Sequence, residues 1–328
     1  MNAPQAQGKL TPDDQLSGSQ LAALAGASPW ETPNDILTRV TNGVMGKPRV
    51  PLVLEAADWG TALEGLVATK AMEKLKLEQY QLDHPQAYQH PSLPLACSID
   101  STAEGDGRVV HHDPDNGIYV MNDSGEIKLE GKGVVEIKTT ATEPVESPPL
   151  YMGPIQLQAQ MEILGHLKWG AVAILFRGSK LRIFLFERHL PTIKMIVDMV
   201  TEFSKKVEHF KDTGELDWYP PKDSKDAQRT WGDRGDEDAP PIELTGATDK
   251  IIDQLLDAKA EIKRLEELID DCEKSLKERL QEHTVGTTSR YKVSWPMRHY
   301  KATAERVVPA KPASTIRLNT IQIKEIKQ

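Results

Sequence analysis

Cysteine is almost absent from this chain: Cys97 and Cys272 are the only two in 328 residues. Two thiols in unrelated contexts exclude a disulfide framework, a zinc knuckle and a cysteine-ligated iron–sulfur cluster, and they point to a reducing compartment, the cytoplasm. No apolar run is long enough to span a bilayer, and no basic-then-apolar leader opens the chain, so no membrane association is expected. Histidine supplies no ligand set either: of the nine, only His111-His112 are adjacent, and their side chains diverge in extended chain. Excess positive charge is also missing. The formal net charge is -9, which weighs mildly against nucleic-acid binding, although phosphate contacts depend on local patches. From Gly286 to Gln328 the balance reverses, with nine Lys or Arg against Glu305 and Glu325.

What remains is an ordinary soluble composition, 39% hydrophobic and 27% charged, long enough for one large domain with an appendage. Ser17 or Ser19 caps a short helix through Leu21, Ala22 and Leu24 that stops near Gly26. Thr32-Pro33-Asn34-Asp35 opens a second, running through Ile36, Leu37 and Val40 to Gly43. Leu63, Val67, Ala71 and Leu75 recur every four residues, which predicts a helix from about Asp58 to Leu77 with Glu64 beside its buried stripe. Strands are expected at Leu95–Asp100, Ile118–Met121, Glu126–Leu129, Gly133–Thr139, Ala171–Phe176 and Leu181–Glu187, and helices at Tyr151–Leu167 and Thr192–Lys211. His111-His112 reads as loop. This order predicts an α/β domain, a mixed central sheet flanked by helices, over residues 1–218. Residues 219–245, rich in Pro, Asp, Lys and Gly, read as a linker or exposed loop. In the C-terminal region, 246–328, Ile251, Leu255, Ala258, Ile262, Leu265, Ile269, Cys272 and Leu276 alternate by four and three. They make a heptad seam that packs either within the chain or against another copy. A strand at Ser289–Trp295 and a basic tail follow.

Chemistry concentrates at two points. Asp100 closes the apolar run that starts at Leu93, and Gly133–Thr139 carries Glu136 and Lys138 on one face of a strand, with Ile137 turned into the core. Two carboxylates and an ammonium at strand ends suit a hard cation and phosphodiester cleavage. Gln156 and Gln160 share a face of the helix that follows, with Leu157, Met161 and Leu164 on its buried face.

These segments, in order, resemble the YqaJ-type phage recombination exonucleases, relatives of lambda exonuclease within the PD-(D/E)xK nucleases. Ser17–Gly26 with Ser28-Pro29-Trp30 and Thr32-Pro33 resembles the family's opening helix and turn. Gly60-Thr61-Ala62-Leu63-Glu64, Asp100 with Glu136-Ile137-Lys138, and Gln156–Met161 resemble its later motifs. The resemblance implies a restriction-endonuclease-like core and a Mg²⁺-dependent enzyme, with Mn²⁺ as a substitute. Asp100, Glu136, Glu64 and the Ile137 carbonyl would hold the metal, Lys138 would orient or deprotonate the attacking water, and Gln156 would assist. It implies DNA contacts from Ser19, Arg39, Gln160 and Tyr151. It implies 5′-to-3′ digestion of linear duplex DNA to 3′ overhangs, a homo-oligomer such as a ring-shaped trimer, a single-strand annealing protein as partner, and a bacterial host or prophage setting. Alternatives are a structure- or site-specific endonuclease of the same fold, or a non-catalytic DNA-binding or assembly protein. Two departures stand out. Residues 101–135 lengthen the hairpin between Asp100 and Glu136, with Asp106 as a rival to Asp100. No Arg precedes Ser19 to hold a 5′-phosphate, which leaves Arg39, Lys47 or Arg49.

Overall fold

A computed structural model describes residues 11–47, 55–82, 84, 86–232 and 238–297. The chain divides into two compact units between Thr230 and Trp231. In chain order the first unit contains β1 (Leu16–Ser17), α1 (Leu21–Leu24), α2 (Pro33–Val44), α3 (Glu55–Leu75), β2 (Tyr80–Leu82), β3 (Tyr88–Gln89), β4 (Leu95–Cys97), β5 (Ser101–His111), β6 (Ile118–Val120), β7 (Glu126–Thr140), α4 (Pro154–Ile163), β8 (Trp169–Phe176), β9 (Lys180–Glu187) and α5 (Leu190–Thr213). Helix α6 (Ser224–Trp231) crosses the division. The second unit holds α7 (Ala247–Leu280) and the hairpin β10 (Val285–Thr287) and β11 (Lys292–Ser294).

Six strands form the central sheet in the order β2-β5-β7-β8-β9-β6. Pairing is antiparallel for β5 with β7 and β8 with β9, but parallel for β7 with β8 and β6 with β9. The expected mixed α/β architecture, with a C-terminal helix and a small β element, is therefore what the chain adopts. Parallel neighbours need a crossover, and α4 supplies it between β7 and β8. The sheet is covered on both faces. Val134, Val172, Ile174 and Phe184 pack under α2, α4 and α5, whereas Val135, Ile137, Ala171 and Ile183 pack under α3 through Val67, Ala71, Met72 and Leu75. With a helix on each side, alternation along β7 cannot separate a wet face from a dry one.

Several expectations need correction. The run Leu95–Asp100 is not one strand. Its first part, β4, joins β1 and β3 in a separate three-stranded sheet, and Asp100 stands at a bend just before β5. Residues 126–140 form one long strand instead of two, paired with β5 along its first ten residues. Within it Gly133 gives way to the buried Trp169 ring, which a β-carbon there would meet at 2.2 Å. Strand β6 does not pair with residues 126–129; it lies at the far edge beside β9. His111 ends β5 instead of lying in a loop, 3.5 Å from Glu126, and His112 meets Tyr119 edge-on.

Helix α2 begins where its capping signals put it: Thr32 accepts from Asp35 N, and the Asp35 carboxylate accepts from Thr32 N at 2.8 Å. Part of the stretch 219–245 is ordered against this helix. Asn34 makes two hydrogen bonds with the Tyr219 backbone, and the buried Asp226 of α6 accepts from Thr32 Oγ1 at 2.7 Å. In the second unit, Ile251, Ile262, Leu265, Ile269 and Leu276 of the heptad seam are exposed along α7. Arg49 and the basic tail beyond Met297 lie outside the described residues. Among those described, no helix is long and apolar enough to cross a membrane.

Candidate active site

The ladder between β5 and β7 ends at the pair Ser101–Val135, yet β7 continues to Thr140 beside β8 alone. From Glu136 onward, one edge of β7 therefore has no neighbouring strand among the described residues, and a notch opens where β5 begins. Asp100 sits at its corner. Its carboxylate accepts from Ile137 N at 2.7 Å, replacing the missing ladder bond. In an extended strand the N–H and C=O of one residue point to the same side, so the Ile137 carbonyl also faces the notch.

Glu136 and Lys138 project from the opposite face to Ile137, toward α4. Glu136 is 1% exposed, deeper than Ile137 at 7%. A buried carboxylate costs several kcal/mol unless it is paired and hydrogen-bonded, and here both oxygens are engaged. Lys138 Nζ donates to Oε1 at 2.6 Å, and Gln160 Nε2 donates to Oε2 at 2.6 Å. Gln160 also donates to the Ser98 carbonyl at 3.1 Å, tying α4 to the segment that delivers Asp100. Gln156 Oε1 accepts from Lys138 at 3.3 Å. The expectation of a polar helix face is thus half wrong: Gln160 is fully buried, as is Gln158, whose amide bonds the Glu187 carbonyl and His189 N.

The charges do not balance. Burial and then the Glu136 charge push the Asp100 carboxyl well above the usual carboxylate range; Glu64 adds to this, and Lys138 only partly opposes it. Burial pulls the Lys138 ammonium down, but Glu136, Asp100 and Glu64 outweigh that and hold its pKa above the ordinary value. In the metal-free site Lys138 is accordingly held as a cation and donor. Burial, with Glu136, also pushes the Cys97 thiol far up, so it is an inert packing group.

Three carboxylates within electrostatic reach of one ammonium leave surplus negative charge, and all the donors are hard oxygens. That set fits a divalent cation such as Mg²⁺. Among the described residues no three His, Cys, Asp or Glu side chains already form a ready ligand cage. The fit instead rests on Asp100, Glu136 and the Ile137 carbonyl, with half-buried Glu64 of α3 approaching from the other side. Gln160 Oε1 is buried with no hydrogen-bond partner, an acceptor that a metal-bound water would satisfy.

The sequence candidates divide clearly. Asp100, Glu136, Ile137, Lys138, Gln156, Gln160 and Glu64 come together. Asp106, the rival, lies far along β5 at the bulge, exposed and held by Arg108. Arg39 is engaged by Glu31. Ser19 is exposed and bonds Ser17 Oγ at 3.0 Å, while Ser17 and Gln20 form a capping box. Two glycines escaped notice. A β-carbon on Gly18 would lie 2.3 Å from Cys97 Sγ and 3.7 Å from Gln156, and one on Gly153 (φ +117°) would press on Val172 and lie 3.6 Å from Glu136 Cγ. Both let backbone close over the site; Gly18 lay within the opening motif, whereas Gly153 lay in no motif.

Residues 11–166 match the YqaJ-like viral recombinase domain. The matched stretch is just under half of the chain. It contains all four segments on which the family resemblance was read. Solved structures similar to the chain include an alkaline exonuclease, LHK-Exo, from Laribacter hongkongensis, with 16% identity, TM-score 0.44, and coverage of 62% of this chain and 94% of that one. The same enzyme in complex with dAMP gives 15%, 0.43, 62% and 94%. A phage-related exonuclease from Haemophilus somnus 129PT gives 8%, 0.40, 61% and 96%. No curated protein matches the sequence.

Two expected results follow from this geometry. Gln160→Leu removes the amide that pins Glu136 Oε2; leaving that oxygen unpaired costs about 1–3 kcal/mol of stability and weakens metal affinity roughly 10–100-fold, measured by chemical denaturation and by calorimetric titration. Asp100→Asn keeps the acceptor for Ile137 N but deletes a carboxylate whose folded pKa is raised. Such a group favours the fold while protonated and loses that advantage as pH rises from the ordinary carboxylate pKa through its elevated folded value. Metal-free Asp100→Asn protein should therefore melt higher than wild type at neutral pH, by roughly 2–4 °C per kcal/mol of relieved repulsion, and the gap should close in acid. A gap independent of pH would contradict the charge cluster.

Proposed function

We propose that this protein is a Mg²⁺-dependent exonuclease acting on the ends of linear double-stranded DNA in the cytoplasm. The reading continues to 5′-to-3′ digestion leaving 3′ overhangs, a homo-oligomeric particle and hand-over of the overhang to a single-strand annealing protein; these follow the family resemblance. The observation that carries the nuclease reading is the notch itself. Asp100 stands at its corner and Glu136 and Lys138 project from β7 beside it, with surplus negative charge that a cation would cancel.

Asp100, Glu136, the Ile137 carbonyl and Glu64 would hold the cation. When bound, it supplies a more acidic attacking water and stabilisation of charge on the leaving oxygen. Lys138, kept cationic by its carboxylate neighbours, donates to a non-bridging phosphate oxygen and offsets the negative charge that grows as the bond to phosphorus forms. Gln156 orients that ammonium through its own oxygen and leaves its NH₂ to point at the substrate. Gln160 fixes the Glu136 rotamer.

Incubating linear, nicked and closed circular duplex with Mg²⁺ or EDTA tests the reading. Loss of linear DNA alone, only with Mg²⁺, supports it. Cutting of closed circles would make the protein an endonuclease, and inertness would make it a binding or assembly protein.

A further inference from the structure

Trp30 is 67% exposed, an unusual place for the largest side chain unless something covers it. Its position is nevertheless fixed. Ser28 Oγ accepts from Trp30 N and Glu31 N, both at 3.2 Å, and the Thr32 cap follows at once. Lys222 Nζ donates to the Ser28 carbonyl at 3.4 Å, and Arg39 holds Glu31. The indole meets the Tyr151 ring edge-on, with centroids 5.0 Å apart and planes at 84°. Tyr151 in turn belongs to the 3₁₀ turn Leu150–Met152 that runs into Gly153, whose β-position is 3.6 Å from Glu136 Cγ. Two Cα–Cα steps of 3.8 Å therefore put the Tyr151 backbone within roughly 13 Å of that carboxylate. The aromatic pair thus sits on the turn that leads into the candidate site.

We propose that Trp30, braced by Tyr151, is the stacking platform for the terminal nucleobase of the DNA strand being cut. The inference rests on the nuclease reading and adds to it a positioning residue and a ligand. Every nucleobase has a π-face, so such a platform holds the end without reading sequence, and stacking on an aromatic side chain is a strong, sequence-tolerant contact. The site has carboxylates, an ammonium and amides for the phosphate, but those groups give the base no apolar surface; the aromatic pair does. An isolated exposed tryptophan would need neither the turn that freezes its backbone nor a second ring braced against it.

The test combines two changes in the full-length protein. Linear duplex carries either a normal or an abasic nucleotide at the cleaved end, and wild type is compared with Trp30→Ala and Trp30→Phe. For wild type, the abasic end should raise KM about tenfold with little change in kcat. Trp30→Ala should raise KM for the normal end by about the same factor, the abasic end should add nothing further to that variant, and Trp30→Phe should restore most of the loss. Independent, multiplying effects of the two changes would overturn the proposal, as would an unchanged KM in Trp30→Ala. If wild-type protein digests no DNA, the nuclease reading fails separately, and the same combinations read as duplex-end dissociation constants decide the stacking claim by the same criteria.

Discussion

Replacing Lys138 by alanine should lower kcat on linear duplex DNA by about 10³-fold while duplex binding changes little. The ammonium would stabilise charge in the phosphorane-like state and orient the water, and removing one such donor from a preorganised site costs about 10²–10³ in kcat. Affinity persists because most contacts to a duplex are made along its backbone, away from the cleaved bond. A stability signature accompanies the loss. Lys138 and Gln160 are the recorded partners of the buried Glu136 carboxylate, and losing a partner of a buried charge is costly, less so here because the lysine side chain is 32% exposed. The variant should melt lower than wild type in EDTA and recover most of the difference in Mg²⁺, since a bound cation replaces the missing positive charge. Full activity, or a deficit indifferent to metal, would remove Lys138 from the site.

Glu136→Gln has an effect as large for a different reason. The amide preserves size and retains an oxygen toward Gln160 or Lys138, so the fold should survive. It is a much poorer ligand for a hard cation than a carboxylate, and the local charge falls by one. Mn²⁺ affinity measured by calorimetry should drop by at least about 100-fold, and cleavage at millimolar Mg²⁺ should fall to the level of wild type in EDTA. Asp100→Asn should behave alike in activity while gaining metal-free stability, which separates a ligand from a scaffold residue. Wild-type cleavage by Glu136→Gln would exclude the carboxylate from catalysis.

Much of this site was legible in the chain because strand periodicity is local: Glu136 and Lys138 must share a face, and Gln156 and Gln160 must share one. The caps at Thr32 and Asp35 were legible for the same reason. What escaped depended on tertiary pairing. Nothing local says that β5 begins only at Ser101 while β7 runs on past the pair Ser101–Val135, yet that mismatch makes the notch and turns Asp100 from a strand end into a stand-in for a missing strand. Nor does a glutamine-bearing helix announce that it will be buried all round; Gln160 pays for its burial by holding Glu136. Arg39 looked like a phosphate clamp by its charge, but Glu31, eight residues earlier, already engages it. The heptad seam of α7 was plain as a pattern, and its exposure was not.

The central claim is that carboxylates gathered at the end of β5 and along β7 bind a divalent cation beside a lysine. Anomalous diffraction from crystals soaked in Mn²⁺ addresses it directly. The account predicts a peak contacting the Asp100 and Glu136 oxygens in wild type, absent from Glu136→Gln. A peak seated elsewhere, or none in a preparation that degrades linear DNA, would contradict it.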